Sequence, residues 1–479
     1  MNRKWFLLCI CFILSVACVL RIVTFYSHHF YIVPDEAHSL SGMKESLLYL
    51  FTHFEQGANF LPLYRSLLKI IYQVFDFNVL YFKLPSLLCG IASVFVFFEL
   101  AKKVFKNDII ILCSLILFCF NYNLIYYSSQ IKPYEFDVLL CLIITNFAFT
   151  IKDKLISNKT LILMAIFGGI FVYTSIPAIV VLHLCVAWLF ILNKENRKKL
   201  FIFETVILLL LGIEYVTYIA QIHSDDSLKS MWNSDSFFFA PKSLSAVNAL
   251  VNFSFFNFFW WDTHCPNNFS SFYLMSYLVI FLIGIINFLR EKNIGLMVIS
   301  PVLFFLVLSY LNIYPFCNRL IIFLIPLFIL ITLKAFDYNV NKYMGNFFAL
   351  LLTIFFIFQV IKFQHYHYLF NIDKNYLEQV KAYLVPLNKL KEDEIVLFTG
   401  SPYWFCLKDE SIYLIRNFEL PADDVLKKKK KIYFAYNLVD DKQVDVDMFS
   451  EKLIQKGYHK SYLFDVKTEI TYRLFVKDN

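Results

Sequence analysis

The sequence predicts an all-α polytopic membrane domain of about eleven transmembrane helices, followed by a small soluble α/β domain at the C-terminus. Three observations predict it. Of the 479 residues, 59% are hydrophobic, against about half in a soluble domain. Mean hydropathy is +0.60, and the apolar residues lie in long runs, as a bilayer span of about 20 residues requires. Near residue 365 the runs stop and short β-rich segments take over, the pattern of a soluble domain.

The first span is expected near 5–26. Arg3 and Lys4 precede its apolar run, as in a signal peptide. The run from Trp5 to Val23 is long for a signal core, however, and no small-residue cleavage site follows it, so it reads as a retained helix ending at Arg21 and Tyr26. Further spans are expected near 79–100, 108–127, 134–151, 160–175, 177–192, 200–220, 271–289, 294–311, 319–334 and 346–361. The pair at 160–192 is one apolar stretch divided at Thr174-Ser175-Ile176-Pro177.

Charge sets the orientation. Alternate short connectors carry Arg3/Lys4, Lys102/Lys103/Lys106, Lys152/Lys154/Lys159, Lys194/Arg197/Lys198/Lys199, Arg290/Lys292 and Lys334/Lys342. That is roughly sixteen basic residues on one side and about half as many on the other, which puts the N-terminus in the cytoplasm. The loops at 27–78, 127–133, 221–270 and 312–318, and the C-terminal tail, then face outward. The low-glycine, Lys- and Phe-rich composition points to an AT-rich prokaryotic source and to nothing finer. The net charge of +7 is distributed as topology signals rather than as a nucleic-acid patch.

The outward loops differ. The first contains two amphipathic stretches, near 39–53 and 60–75, too short and polar to span and suited to the interface. The 221–270 loop is rich in Phe and Trp, which favour the headgroup zone. The chain divides at 1–364 and 365–479. Strands are expected at Glu394–Phe398, Ile412–Ile415, Lys431–Tyr436, Tyr462–Val466 and Tyr472–Val476, with helices near 373–390 and 446–457.

Several chemistries are excluded. Glycine is scarce, at 11 residues, and neither GxxxxGK[ST] nor GxGxxG occurs, so no phosphate-cradling nucleotide loop drives the protein. Most of the 11 cysteines fall inside apolar runs, and no CxxC zinc spacing exists. Cys265, Cys317 and Cys406 fall in outward segments; a Cys265–Cys317 bridge is open there, but free thiols are the favoured reading.

Polar residues gather at the outward ends of the spans. Pro34-Asp35-Glu36-Ala37-His38 follows the first span. Adjacent carboxylates there suit general-base work or a divalent cation, and equally a solvated turn. Tyr126-Tyr127-Ser128-Ser129-Gln130-Ile131-Lys132-Pro133-Tyr134 lies where the third span meets the fourth. Lys132 and Tyr134 suit a phosphate at headgroup depth, or an aromatic anchor with a snorkelling lysine. In Tyr314-Pro315-Phe316-Cys317-Asn318-Arg319, Arg319 is a candidate phosphate clamp or a stop-transfer flank. Lys83 and Arg65 are further outward cations. Asp262 and His264, in an aromatic loop, are candidates for acceptor or metal binding. Glu99, Glu204 and Glu214 lie in or near spans; only Glu214 is deep.

An ordered set of these segments resembles the bacterial relatives of the dolichyl-phosphate-mannose–protein mannosyltransferases, which are GT-C glycosyltransferases. The set comprises Leu20-Arg21, Asp35-Glu36-Ala37, Pro62-Leu63-Tyr64 with Leu67-Leu68-Lys69, Leu84-Pro85-Ser86-Leu87-Leu88-Cys89-Gly90, Tyr127-Ser128 through Lys132-Pro133-Tyr134, and Tyr314-Pro315-Phe316 with Arg319 and Pro326. It covers the chain from about 20 to 330.

The resemblance implies an inverting sugar transfer from a polyprenyl-phosphate donor, on the outer membrane face, to a lipid, protein or glycan acceptor. It implies Asp35 as the base, Glu36 as its orienting partner or a cation ligand, and Lys132, Tyr134 and Arg319, with Lys83 and Arg65, around the donor phosphate. Some relatives use a metal and others do not. Two departures stand out: Lys132 occupies a position that is often Arg, and Asn59-Phe60-Leu61 lacks the His-Pro pair of many relatives. The rival reading is a transporter or flippase of a lipid-linked saccharide, which would show paired broken helices and inverted repeats. No internal repeat is evident in the sequence.

Overall fold

The computed structural model describes residues 2–28, 36, 39–40, 43, 45–53, 61–75, 78–223, 271–291, 295–316, 318–337, 342–362, 394–398, 412–414, 426, 429–437, 443–464 and 470–477. Five described helices are long and apolar enough to cross a membrane: Arg3–His28, Val79–Val104, Tyr134–Ile151, Lys194–Ile222 and Arg319–Asp337. Six shorter apolar helices accompany them: Asp108–Cys119, Asn158–Val172, Ile176–Leu192, Ser276–Arg290, Gly295–Tyr310 and Tyr343–Ile357. Their outward faces carry Trp5, Phe12, Leu209, Val216 and Ile354, all well exposed. Such surfaces are stable only against lipid. The chain is an integral membrane protein.

Contacts divide the chain into two units. The first comprises Met1–His29, Gly42–Val74 and Leu80–Phe370; the second comprises Phe30–Ser41, Phe75–Val79 and Asn371–Asn479. In the first unit the helices surround one apolar core running from Ile10 to Phe356. The two interfacial stretches of the first loop contain helices Leu47–Thr52 and Pro62–Phe75.

Four expected spans differ in detail. The run at 108–127 is broken into Asp108–Cys119 and Tyr122–Tyr127. Asn121 causes the break: its side chain accepts from the Leu124 amide at 3.2 Å and starts a new helix, as a local side-chain cap does. The run at 319–334 begins as a 3₁₀ segment, Asn318–Leu324, before the α-helix Ile325–Asp337. Pro326 has no amide hydrogen to give back one turn, so the two segments join where it enters. The run at 200–220 carries a π-helical turn, Tyr215–Ile219. The first helix runs on to His28, so Arg21 lies about 10 Å inside its end rather than at it. At 160–192 the chain breaks as the sequence indicates: Ser175 caps the Ala178 amide at 3.1 Å and Pro177 stands in the first turn of Ile176–Leu192, where a missing amide hydrogen costs nothing.

Glycines set the closest approaches between helices. A Cβ on Gly284 would fall 1.9 Å from the Ile331 carbonyl oxygen, and one on Gly168 would fall 2.6 Å from Ile207 Cδ1. Backbones in contact exchange dispersion energy that lipid cannot supply.

The second unit contains a five-stranded sheet of order β2-β1-β3-β5-β4, with β1 Glu394–Phe398, β2 Ile412–Leu414, β3 Lys431–Asn437, β4 Tyr458–Phe464 and β5 Ile470–Lys477. Strand β1 is parallel to both β2 and β3; β5 is antiparallel to β3 and β4. Helix Gln443–Gln455 packs on the sheet, with the Phe449 and Phe434 rings 4.5 Å apart. Gly457, at φ +86°, turns that helix into β4, a backbone state open to glycine. Strand β4 begins four residues earlier than its pattern indicates, because Tyr458 is buried and its hydroxyl reaches the Leu426 and Lys429 carbonyls at 2.7 and 2.8 Å. The expected helix near 373–390 lies outside the described residues.

Gly284→Ala is expected to destabilise the detergent-solubilised protein by about 1–3 kcal/mol, because the Ile331 backbone cannot move aside. Gly212→Ala, whose Cβ would meet nothing within 4 Å, is expected to be neutral or mildly stabilising. Paired thermal unfolding curves check both.

Candidate active site

The buried polar groups concentrate at the end of the helical unit where the first helix finishes, at His28. Their centre is the turn between helices Tyr122–Tyr127 and Tyr134–Ile151. All residues from Tyr127 to Glu135 are buried. Irregular backbone at membrane depth persists only when it is enclosed and satisfied. Here Ser128 Oγ donates to the Ile125 carbonyl at 2.6 Å, and Ser129 Oγ to that of Tyr126 at 2.7 Å. Ser86 Oγ, from helix Val79–Val104, donates to the Lys132 carbonyl at 3.1 Å. The Tyr127 and Tyr134 rings meet edge to face with centroids 5.0 Å apart.

Cations surround this turn. Lys132 and Lys83 are both buried. Lys83 is close enough to His28 for their charges to interact, and the His28 ring packs edge-on to Tyr126 at 5.9 Å. Arg319 is half-buried on the 3₁₀ segment, which packs against both helices flanking the turn. So Lys83, Lys132, Tyr134 and the segment bearing Arg319 share one end of the bundle.

Arg65 is fully buried a little apart. Its Nη1 donates to the His53 carbonyl at 2.9 Å and to the Tyr218 hydroxyl at 3.2 Å. Its helix, Pro62–Phe75, is tied in by Tyr64, whose ring lies 5.3 Å from Phe136, and by the Leu63 amide, which donates to the Tyr173 carbonyl at 2.9 Å. Lys69 in the same helix donates to the Met43 carbonyl at 2.9 Å. Glu36 is buried and belongs to the second unit. Asp35, Asp262, His264 and the Cys265–Cys317 pair lie outside the described residues. Among the described residues no group of three or more His, Cys, Asp or Glu side chains forms a metal site.

Sequence reasoning missed one charged pair beneath the turn. Arg21 is fully buried, and its Nη1 donates to the Ala17 and Cys119 carbonyls at 3.2 and 3.3 Å. Glu135, the residue after Tyr134, is fully buried too, and neither of its oxygens makes a hydrogen bond. Gly90 stands between them. A Cβ there would lie 3.5 Å from Arg21 Nε, 3.4 Å from Glu135 Oε2 and 2.7 Å from Ser128 Cβ. Arg21 Nε and Glu135 Oε2 are therefore within about 7 Å of each other, close enough to interact electrostatically across a poorly screened interior. The available signal was Arg21 itself, since an ionisable residue inside an apolar run is functional by default.

Other intramembrane carboxylates sort by partner. Glu99 meets Lys102 at 2.6 Å near a helix end, and Glu204 meets His183 at 2.6 Å. Asp137 is hydrogen-bonded to Ser175. Glu214 is fully buried, with neither oxygen hydrogen-bonded, and lies near Tyr173 where the π-helical turn begins.

No sequence-family model matches the chain, and no curated protein sequence does. Solved structures do. ArnT from Cupriavidus metallidurans in the apo state is similar with a TM-score of 0.57 and 10% identity over 97% of this chain and 97% of that one. ArnT bound to undecaprenyl phosphate gives 0.57 and 10% over 99% and 98%. The Archaeoglobus fulgidus oligosaccharyltransferase, in complex with Zn and sulfate, gives 0.50 and 12% over 96% of this chain and 72% of that one. The chain has the GT-C fold.

Tyr218→Phe removes the hydroxyl that receives Arg65. Loss of a hydrogen bond to a buried charge is expected to cost about 1.5–3 kcal/mol, read as a lowered thermal midpoint against wild type.

Proposed function

We propose that this protein is an integral membrane glycosyltransferase that moves a sugar from a polyprenyl-phosphate donor to a lipid, protein or glycan acceptor. The observation that carries the reading is the gathering of Lys83, Lys132 and Tyr134, with the segment bearing Arg319, at one end of a GT-C bundle. A similar structure, ArnT, is described as bound to undecaprenyl phosphate. Cations gathered at one end of a membrane domain suit an anion that reaches that depth, and a lipid phosphate is such an anion. The charge bias of the connectors supports putting this end at the outer face of a bacterial plasma membrane, with the N-terminus in the cytoplasm. It likewise supports an outward domain 365–479.

Asp35, seven residues after the first helix ends, is the base in this scheme. Its carboxylate takes the proton of the acceptor hydroxyl as that oxygen attacks the anomeric carbon. The bond from that carbon to the donor phosphate breaks on the opposite side, so the configuration inverts. Glu36 orients Asp35 or shares a divalent cation with it. The leaving polyprenyl phosphate gains charge as the bond breaks, and fixed cations near it stabilise that charge more than the ground state. Lys132 supplies charge without a bidentate fork, so Arg319 supplies the directional contact, with Lys83 and Arg65 adding field. Asp262 and His264 remain candidates for the acceptor side or for a metal.

Transfer of labelled sugar from undecaprenyl-phosphate sugars to a membrane lipid extract tests the reading. Wild type is expected to turn over. Asp35→Asn is expected to lose activity by at least about a hundredfold, the scale of one general base, with undecaprenyl phosphate binding kept. Arg319→Ala is expected to weaken that binding more than it changes acceptor KM. Lipid-linked sugar that crosses the membrane without being transferred would favour a transporter instead.

A further inference from the structure

We propose that Arg21 and Glu135 form a buried charge clamp that positions the Lys132–Tyr134 turn, and that this clamp sets the affinity of the site for a phosphate headgroup. The proposal rests on the glycosyltransferase reading only in naming which anion the turn receives.

Three elements meet at the clamp. Arg21 projects from helix Arg3–His28 and is held on one side by the Ala17 and Cys119 carbonyls, at 3.2 and 3.3 Å. Its Nε and Nη2 make no hydrogen bond, and neither oxygen of Glu135 does. Both residues are fully buried, and Arg21 is the charge that Glu135 faces. Gly90, on helix Val79–Val104, keeps the space between them open, since any Cβ there would press on Ser128 at 2.7 Å.

Position gives the pair its consequence. Glu135 stands one residue beyond Tyr134 and three beyond Lys132, in the first turn of helix Tyr134–Ile151. Any pull on Glu135 moves the start of that helix and the turn before it. On the other side Ser86, one helical turn from Gly90, holds the Lys132 carbonyl. The turn is thus fixed at both ends, by a hydrogen bond at Lys132 and by a charge at Glu135. A phosphate site needs its cation placed to within a fraction of an ångström, and a flexible lysine gains that only from a rigid backbone. Neither Arg21 nor Glu135 need touch the ligand: both are positioning residues.

Purified full-length protein in nanodiscs, titrated with undecaprenyl phosphate and separately with undecaprenol, tests the clamp. Arg21→Met and Glu135→Gln are each expected to weaken undecaprenyl phosphate about tenfold, while the double variant loses no more than the worse single one, as two halves of one interaction do. Affinity for undecaprenol, which lacks the phosphate, is expected to stay within about twofold, and Arg21→Lys to recover most of the lost phosphate affinity. Gly90→Ala keeps both charges and crowds the gap, and is expected to reproduce the phosphate-selective loss. It keeps the test available if Arg21→Met does not fold. Losses that multiply in the double variant, equal losses for both lipids, or unchanged phosphate affinity would each overturn the clamp. Absence of undecaprenyl phosphate binding in the wild type would overturn the function from which the ligand was inferred as well.

Discussion

The constraint on which the rest of this structure depends is the cost of burying charge among apolar helices. Arg21, Arg65, Lys83, Lys132 and Glu135 are all buried within a unit whose surface is made for lipid. Each would be expelled from a bilayer-depth interior unless a partner, a carbonyl or a ligand repaid the desolvation. The fold answers locally. Carbonyls at broken or ending helices receive Arg21 and Arg65, hydroxyls of serine tie down the Tyr127–Pro133 turn, and Glu135 balances Arg21 across the gap left by Gly90. The irregular backbone between Tyr127 and Tyr134 sits among these charges.

That arrangement explains why the helices break where they do. Asn121, Ser175 and Pro326 each interrupt an apolar run at the His28 end of the bundle or close to it. A straight helix through residues 108–127 would engage the Cys119 carbonyl in its own ladder. The break after Cys119 leaves that carbonyl free to accept Nη1. Local capping chemistry, helix geometry and the electrostatics of the site are therefore coupled at this end of the bundle.

Much of the fold was legible in the sequence because lipid imposes a strong filter. Runs near 134–151 and 177–192 became helices with nearly the same bounds, since backbone in hydrocarbon must satisfy itself. The strands of the second unit were legible from alternation, with β4 displaced because the burial of Tyr458 depends on carbonyls some thirty residues earlier in the chain, at Leu426 and Lys429. The cations at the His28 end were legible as departures from the charge bias of the connectors. What was not legible was pairing. Nothing in the spacing of Arg21, Gly90 and Glu135 announces that they meet, because the contact is made by three helices packing on one another. The 108–127 break was likewise hidden, since one asparagine in an apolar run can cap a helix or simply ride in it.

The central claim is that the buried cations at the His28 end recognise the phosphate of a polyprenyl lipid. The most direct measurement is the ratio of wild-type affinities for undecaprenyl phosphate and undecaprenol in nanodiscs at two salt concentrations. The account predicts that the phosphate lipid binds at least about tenfold tighter, and that the ratio changes little with salt because a buried site is poorly screened. Equal affinity for the two lipids, or a preference that vanishes at high salt, would contradict it.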